Sequence, residues 1–151
     1  MPSSAEHDLS AVFAARLAGG LIGPPSTSLV IAEWADPGGG YDPPRYIAPL
    51  HVHQEDDEAW YVLAGALRVR LGDRDVDVPA GGAVIAPRGT PHTFRNAGDD
   101  VGRIVGTFNP PHFANYFREL AAIINSTGQS PDRQVWTELY ARYDTTFYDA
   151  G

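Results

Sequence analysis

Two histidines one residue apart, His51 and His53, stand directly before an acid-rich run that ends in Glu58, within the stretch PLHVHQEDDEAW. Side chains in a strand alternate faces, so the two imidazoles project to the same side with Cα atoms roughly 6.7 Å apart. Rings so placed can converge on one ion at about 2.1 Å from each nitrogen. Glu58 lies five residues beyond His53, an offset that faces it the wrong way if the strand runs on unbroken. The polar QEDD segment suits a turn, which folds the chain back and lets Glu58 meet the histidines. On the returning strand Glu58, Trp60 and Val62 share a face, so an aromatic wall stands beside the carboxylate. An H-x-H pair alone also occurs as ordinary packing or surface residues. A third histidine, His92, follows a short apolar run in GGAVIAPRGTPHTFRN, so three of the five histidines fall in two β segments. His7 and His112 sit near the termini; His7 is expected to be solvated and His112 to lead into a helix.

These residues need strands to hold them. From about residue 27 to 109 the chain reads as short β-type runs separated by Gly, Pro and Asp clusters: SLVIAEW, RYIAPLHVH, EAWYVLAG, ALRVRL, DVDVP, GAVIAP, HTFRN and GRIVGTF. Many short strands at close spacing predict an all-β sandwich or barrel. Before them, residues 8–18 (DLSAVFAARLA) carry helical spacing that ends at Gly19 and Gly20, which predicts one short N-terminal helix. After NPP, the spacing of Phe113, Tyr116, Phe117, Leu120, Ile123 and Ile124 predicts a helix. SPDRQVWTELYARY predicts another, with Ser130 as N-cap and Pro131 in its first position. Eight of the sixteen aromatic residues lie in this C-terminal part, where packing onto the barrel or a partner chain is favoured over lining a pocket. The expected organisation is a lead-in with its helix over 1–26, a β-barrel over 27–110 and a helical segment over 111–151.

One hairpin can be read residue by residue. ALRVRL and RDVDVP flank Gly72-Asp73, a pair suited to a II′ turn. The implied register sets Arg70 against Asp75 and Arg68 against Asp77 on a wet face, with Val69 against Val76 and Leu67 against Val78 on the other. The arginines are expected to be ordinary surface charge.

Composition removes several classes of function. A net charge of −8, from 11 basic and 19 acidic side chains, opposes nucleic-acid and anionic-membrane binding. Cysteine is absent, so any metal must take nitrogen and oxygen ligands. An acidic N-terminus and the lack of an apolar run near the ~18 residues of a membrane span make a cytoplasmic protein the expectation.

The chain resembles the cupins. Their first motif, G-x5-H-x-H-x3,4-E-x6-G, is met by His51, His53, Glu58 and Gly65, and their second, G-x5-P-x-G-x2-H-x3-N, by Gly81, Pro87, Gly89, His92 and Asn96. Fifteen residues separate the two. The opening Gly of the first motif falls on Arg45, so YDPPRYIAPL must bend through its prolines, and Arg45 is expected to be exposed. The resemblance covers roughly residues 27–110. It implies a double-stranded β-helix, a jelly-roll barrel, and one divalent metal bound by His51, His53, Glu58 and His92. Three imidazoles and a carboxylate suit iron, manganese, nickel, copper or zinc and suit calcium poorly. Ligand histidines must be neutral, so metal affinity should fall as pH drops through the region near 6.

Within that family DEAWYVLAG and NPPHFANYFREL are similar to the single-domain quercetin 2,3-dioxygenase-like group. That likeness implies a small chelating substrate, dioxygen as co-substrate, and Glu58 as the catalytic base as well as a ligand. A non-redox cyclase or isomerase and a small-molecule-binding module stand as alternatives. Cupins commonly dimerise, so a homodimer is expected.

Overall fold

In the computed structural model, residues 13–17, 20–24, 26–39, 45–110, 112–129 and 131–148 are described. Their strands form two five-stranded antiparallel sheets, ordered β1-β2-β9-β4-β7 and β10-β3-β8-β5-β6. The first holds β1 (Leu21–Ile22), β2 (Val30–Asp36), β4 (Asp57–Ala64), β7 (Ala83–Ala86) and β9 (Gly102–Asn109). The second holds β3 (His51–His53), β5 (Ala66–Leu71), β6 (Arg74–Pro79), β8 (His92–Asn96) and β10 (Thr145–Phe147). This arrangement is consistent with a double-stranded β-helix.

Alternation along the strands explains the layering. In β4, Glu58, Trp60 and Val62 are buried while Tyr61 and Leu63 face outward. Trp60 and Val62 join Leu67, Val69, Val78, Ala86, Phe94 and Ile104 in a core between the sheets. The β5–β6 hairpin has the expected register, with Leu67 opposite Val78, Arg68 opposite Asp77, Val69 opposite Val76 and Arg70 opposite Asp75. Gly72 takes φ 60°, as the first place of a II′ turn demands. Arg68 grips Asp77 with two bonds of 2.5 and 2.6 Å, in the open.

Two helices follow the barrel, α1 (Ala114–Thr127) and α2 (Arg133–Ala141). Their apolar faces meet β9 through a second cluster of Phe108, Phe113, Tyr116, Leu139, Tyr140 and Tyr143. α1 stops where Gly128 turns left-handed at φ 69° and donates its N–H to Ile124 O. α2 begins later than expected. Asp132, not Ser130, is its cap, and its carboxylate accepts from Val135 N at 3.0 Å. An aspartate with extended backbone one residue past the proline satisfies one of the orphan N–H groups itself, that of Val135; Ser130 lies outside the described residues. The expected N-terminal helix lies outside them too, apart from residues 13–17, which are irregular. Two strands were not anticipated, β1 and β10, because each is three residues or shorter and takes its partner from elsewhere in the chain.

Candidate metal centre

β3 places His51 and His53 on one face, and its register sets His51 directly opposite His92 of β8. Glu58 arrives from the other sheet. The QEDD turn that carries it across is tied down at both ends: Gly89 N donates to His53 O at 2.7 Å, and Asp57 accepts from the backbone and guanidinium of Arg88. That Arg88 pair holds the Asp57 carboxyl down at about 2. Within the turn Asp56 is the acid that does not face water. It is fully buried, and Oδ1 accepts from Phe113 N at 3.3 Å, where α1 has no side-chain cap of its own. Burial pushes its carboxyl up.

The four side chains anticipated from the sequence meet at one point. Their ligand-type atoms lie within 4.8 Å of one another, and each residue is at most 3% exposed. Outward hydrogen bonds dictate the imidazole tautomers. Nδ1 of His51 lies 2.7 Å from Pro49 O, and Nδ1 of His92 lies 2.8 Å from Thr90 O. Nδ1 of His53 lies 2.7 Å from Thr145 Oγ, whose own proton goes to Tyr143 O at 3.0 Å. A carbonyl can only accept, and a hydroxyl that has donated its proton must accept, so all three Nδ1 atoms carry hydrogen. Nε2 of each ring is then the atom that faces inward, free to take a metal ion or, on His53 and His92, a proton shared with Glu58.

The inward atoms lie close together. His51 Nε2 and His53 Nε2 are 3.3 Å apart, and Glu58 Oε2 is 3.0 Å from His53 Nε2 and 3.1 Å from His92 Nε2. Three inward ring nitrogens and a buried carboxylate need positive charge among them, supplied by a proton on His53 or His92 or by a metal ion. A divalent ion fits this donor set. Burial, then the neighbouring His92 and His53, lowers His51 to about 3, keeping it neutral at any ordinary pH. Burial alone would raise Glu58, but contacts with His53 and His92 outweigh it and hold the carboxyl at about 2, so it is ionised.

A cavity of about 220 Å³ opens above this cluster. His51 and Glu58 form its polar end; Trp34, Phe94, Phe113, Tyr116, Phe117, Trp136 and Tyr140 wall the rest. The C-terminal aromatics therefore do both jobs weighed from the sequence, packing on the barrel and facing the cavity. No arginine or lysine is among the described residues that line it. Arg45 ion-pairs with Asp36 at 2.5 Å. His112 leads into α1 as expected, with Nε2 3.2 Å from Asp144. Two residues were missed: Asp56, hidden in a run of acids, and Thr145, whose TTF run carried a weak strand signal and no sign of its partner.

Residues 40–108 match the family model described as Cupin domain, Cupin_2. That match, with the two-sheet fold, supports the cupin superfamily. Similar solved structures include TT1209 from Thermus thermophilus, 27% identical, covering 54% of this chain and 72% of that one, with a TM-score of 0.47. KdgF from a Halomonas species is 25% identical over 55% of this chain and 69% of its own, TM-score 0.47. BH2720 from Bacillus halodurans is 24% identical over 55% and 63%, TM-score 0.49. No curated protein matches the chain in sequence. Among the described residues no helix is long and apolar enough to cross a membrane.

Proposed function

We propose that this chain is a metal-dependent enzyme acting on a small, uncharged, aromatic molecule with a chelating pair of oxygens, and that its reaction is a ring- or enediol-cleaving dioxygenation of the quercetinase kind. The observation that carries the reading is the cavity: a buried His51, His53, Glu58 and His92 quartet lies under aromatic walls without a cationic side chain in the lining. Beyond the ion itself, the lining offers no cation to pair with a phosphate or carboxylate. Planar aromatic ones need the faces that Phe113, Tyr116 and Trp136 offer.

A divalent ion held by the quartet supplies Lewis acidity to a chelating enol or phenol oxygen and, if redox-active, an electron path to dioxygen. The protein's own part is to orient and to move a proton. Glu58 is the one carboxylate lining the cavity among the described residues. It is therefore the group placed to accept the substrate's hydroxyl proton. Tyr140, with its ring 5.6 Å from that of His51, helps to close the cavity against water.

The test is metal analysis of protein purified without added metal or affinity tag, followed by oxygen uptake with a flavonol-type chelator. Uptake with iron, nickel, copper or manganese bound supports the proposal. Turnover without oxygen moves the chain to the cyclase or isomerase class, and binding without turnover makes it a ligand-binding module. Glu58→Gln should keep substrate binding yet lose roughly 10²–10⁴ of turnover, the share general-base catalysis supplies. Near-normal turnover in that variant removes Glu58 from the proton's path.

A further inference from the structure

The three imidazoles are not held alike. His51 and His92 each bond a backbone carbonyl two residues earlier in the chain, Pro49 O and Thr90 O, so each strand carries its own support. His53 depends on a side chain 92 residues away, the hydroxyl of Thr145 at the start of β10. Thr145 is 1% exposed, and its donated proton on Tyr143 O leaves its oxygen free only to accept.

β10 is held to β3 by a short ladder. Thr145 pairs with His53 and Phe147 with His51, and the ladder is flanked by Gln54 N to Asp144 O at 2.9 Å and Tyr148 N to Leu50 O at 3.0 Å. Three residue pairs make a weak strand by themselves. The His53 bond adds a charge-sensitive contact to that ladder. A cation on Nε2 draws electrons from the ring and makes Nδ1–H a stronger donor, and an acceptor on Nδ1 makes Nε2 a better ligand.

The geometry points to Thr145 as a positioning residue of the metal centre, which fixes the His53 tautomer and couples ion binding to the docking of the C-terminal strand. The inference rests on the metal reading of the quartet. It adds that residues 27–110 supply the four inward groups but not the outer support of His53, and that the ion tightens the same chain segment whose helices wall the cavity. The coupling must be reciprocal: whatever factor docking adds to ion affinity, the ion adds to docking.

The experiment uses the full chain with Zn²⁺ as the probe and a competing chelator to read affinity. Thr145→Val keeps the shape and removes the acceptor; its zinc affinity should fall 10–100-fold, the range for outer partners of metal-bound histidines. Thr145→Ser restores the hydroxyl and should return affinity to within about threefold of wild type, which a purely space-filling role would not do. In the wild-type protein, zinc should slow hydrogen exchange at the Tyr148 and Gln54 amides by the same 10–100-fold, provided they open by local undocking. This second measurement decides the matter if Thr145→Val does not fold. Wild type that binds one zinc, with Thr145→Val equally tight or with exchange unchanged by zinc, overturns the inference and spares the metal reading. Wild type that binds none of the candidate ions overturns both.

Discussion

The β5–β6 hairpin and the β3–β10 ladder lie in the same sheet and obey the same antiparallel geometry, yet only the first is legible in the sequence. In the hairpin the register is set by the residues that make the turn: Gly72 supplies the positive φ, and every pair from Leu71–Arg74 to Ala66–Pro79 follows from it. In the ladder His53 meets Thr145 across almost the whole barrel and both helices, with no turn to announce it. A local turn writes its consequence into adjacent residues. A distant pairing is decided by which exposed edge is left when everything else has folded. The metal centre straddles this divide, since its inward atoms come from residues the motifs place while one of its outward bonds comes from the ladder.

The largest effect should come from the legible side. His92→Ala removes a donor that nothing nearby replaces, so ion affinity should drop by more than the 10–100-fold expected for an outer partner such as Thr145. Equilibrium dialysis against zinc measures it. If His92→Ala and Thr145→Val cost the same, the distinction between inner and outer support collapses.

Next in size is a pH effect on the metal-free protein. An unfolded chain protonates His51 near pH 6.5, whereas the folded site holds it off until about 3. Unfolding therefore takes up a proton throughout that window, and stability must fall as pH is lowered through it, by about 3 kcal/mol at pH 4 from this group. Glu58 acts in the same direction between its ordinary 4.5 and about 2. Urea unfolding at pH 7, 5.5 and 4 tests the sign; equal stability at all three contradicts the burial argument.

Two glycines sharpen the comparison at smaller scale. A Cβ on Gly106 would stand 2.5 Å from Cζ3 of Trp34, part of the cavity wall. Gly106→Ala should cost about 2 kcal/mol through overpacking and should also weaken binding of an aromatic ligand, measured by denaturation and by titration with a flavonol. At Gly72 nothing lies within 4 Å, so Gly72→Ala should cost only about 1 kcal/mol, through its positive φ, and leave ligand binding untouched. A change in ligand affinity at Gly72 would mean that hairpin and cavity communicate.

By itself the sequence determined the period-two strands of the barrel, the β5–β6 register and the shared face of His51 and His53, because alternation and turn chemistry act over a few residues; His92 joined them only through the resemblance to the cupin motifs. It placed two C-terminal helices but started the second two residues early, taking Ser130 for the cap where Asp132 serves. Tertiary structure decided the rest. Asp56 reads as one more solvated acid, and becomes a buried cap only because Phe113 N is delivered to it across 57 positions. The aromatic spacing of α1 and α2 marks an apolar face and cannot say that the face ends at a cavity above His51 and Glu58. Thr145 looks like any β-branched residue, and its hold on His53 exists only where two distant edges meet. Periodicity encodes which face is buried; what lies against that face is settled by the packing of segments far apart in the chain, a property that no short window of residues contains.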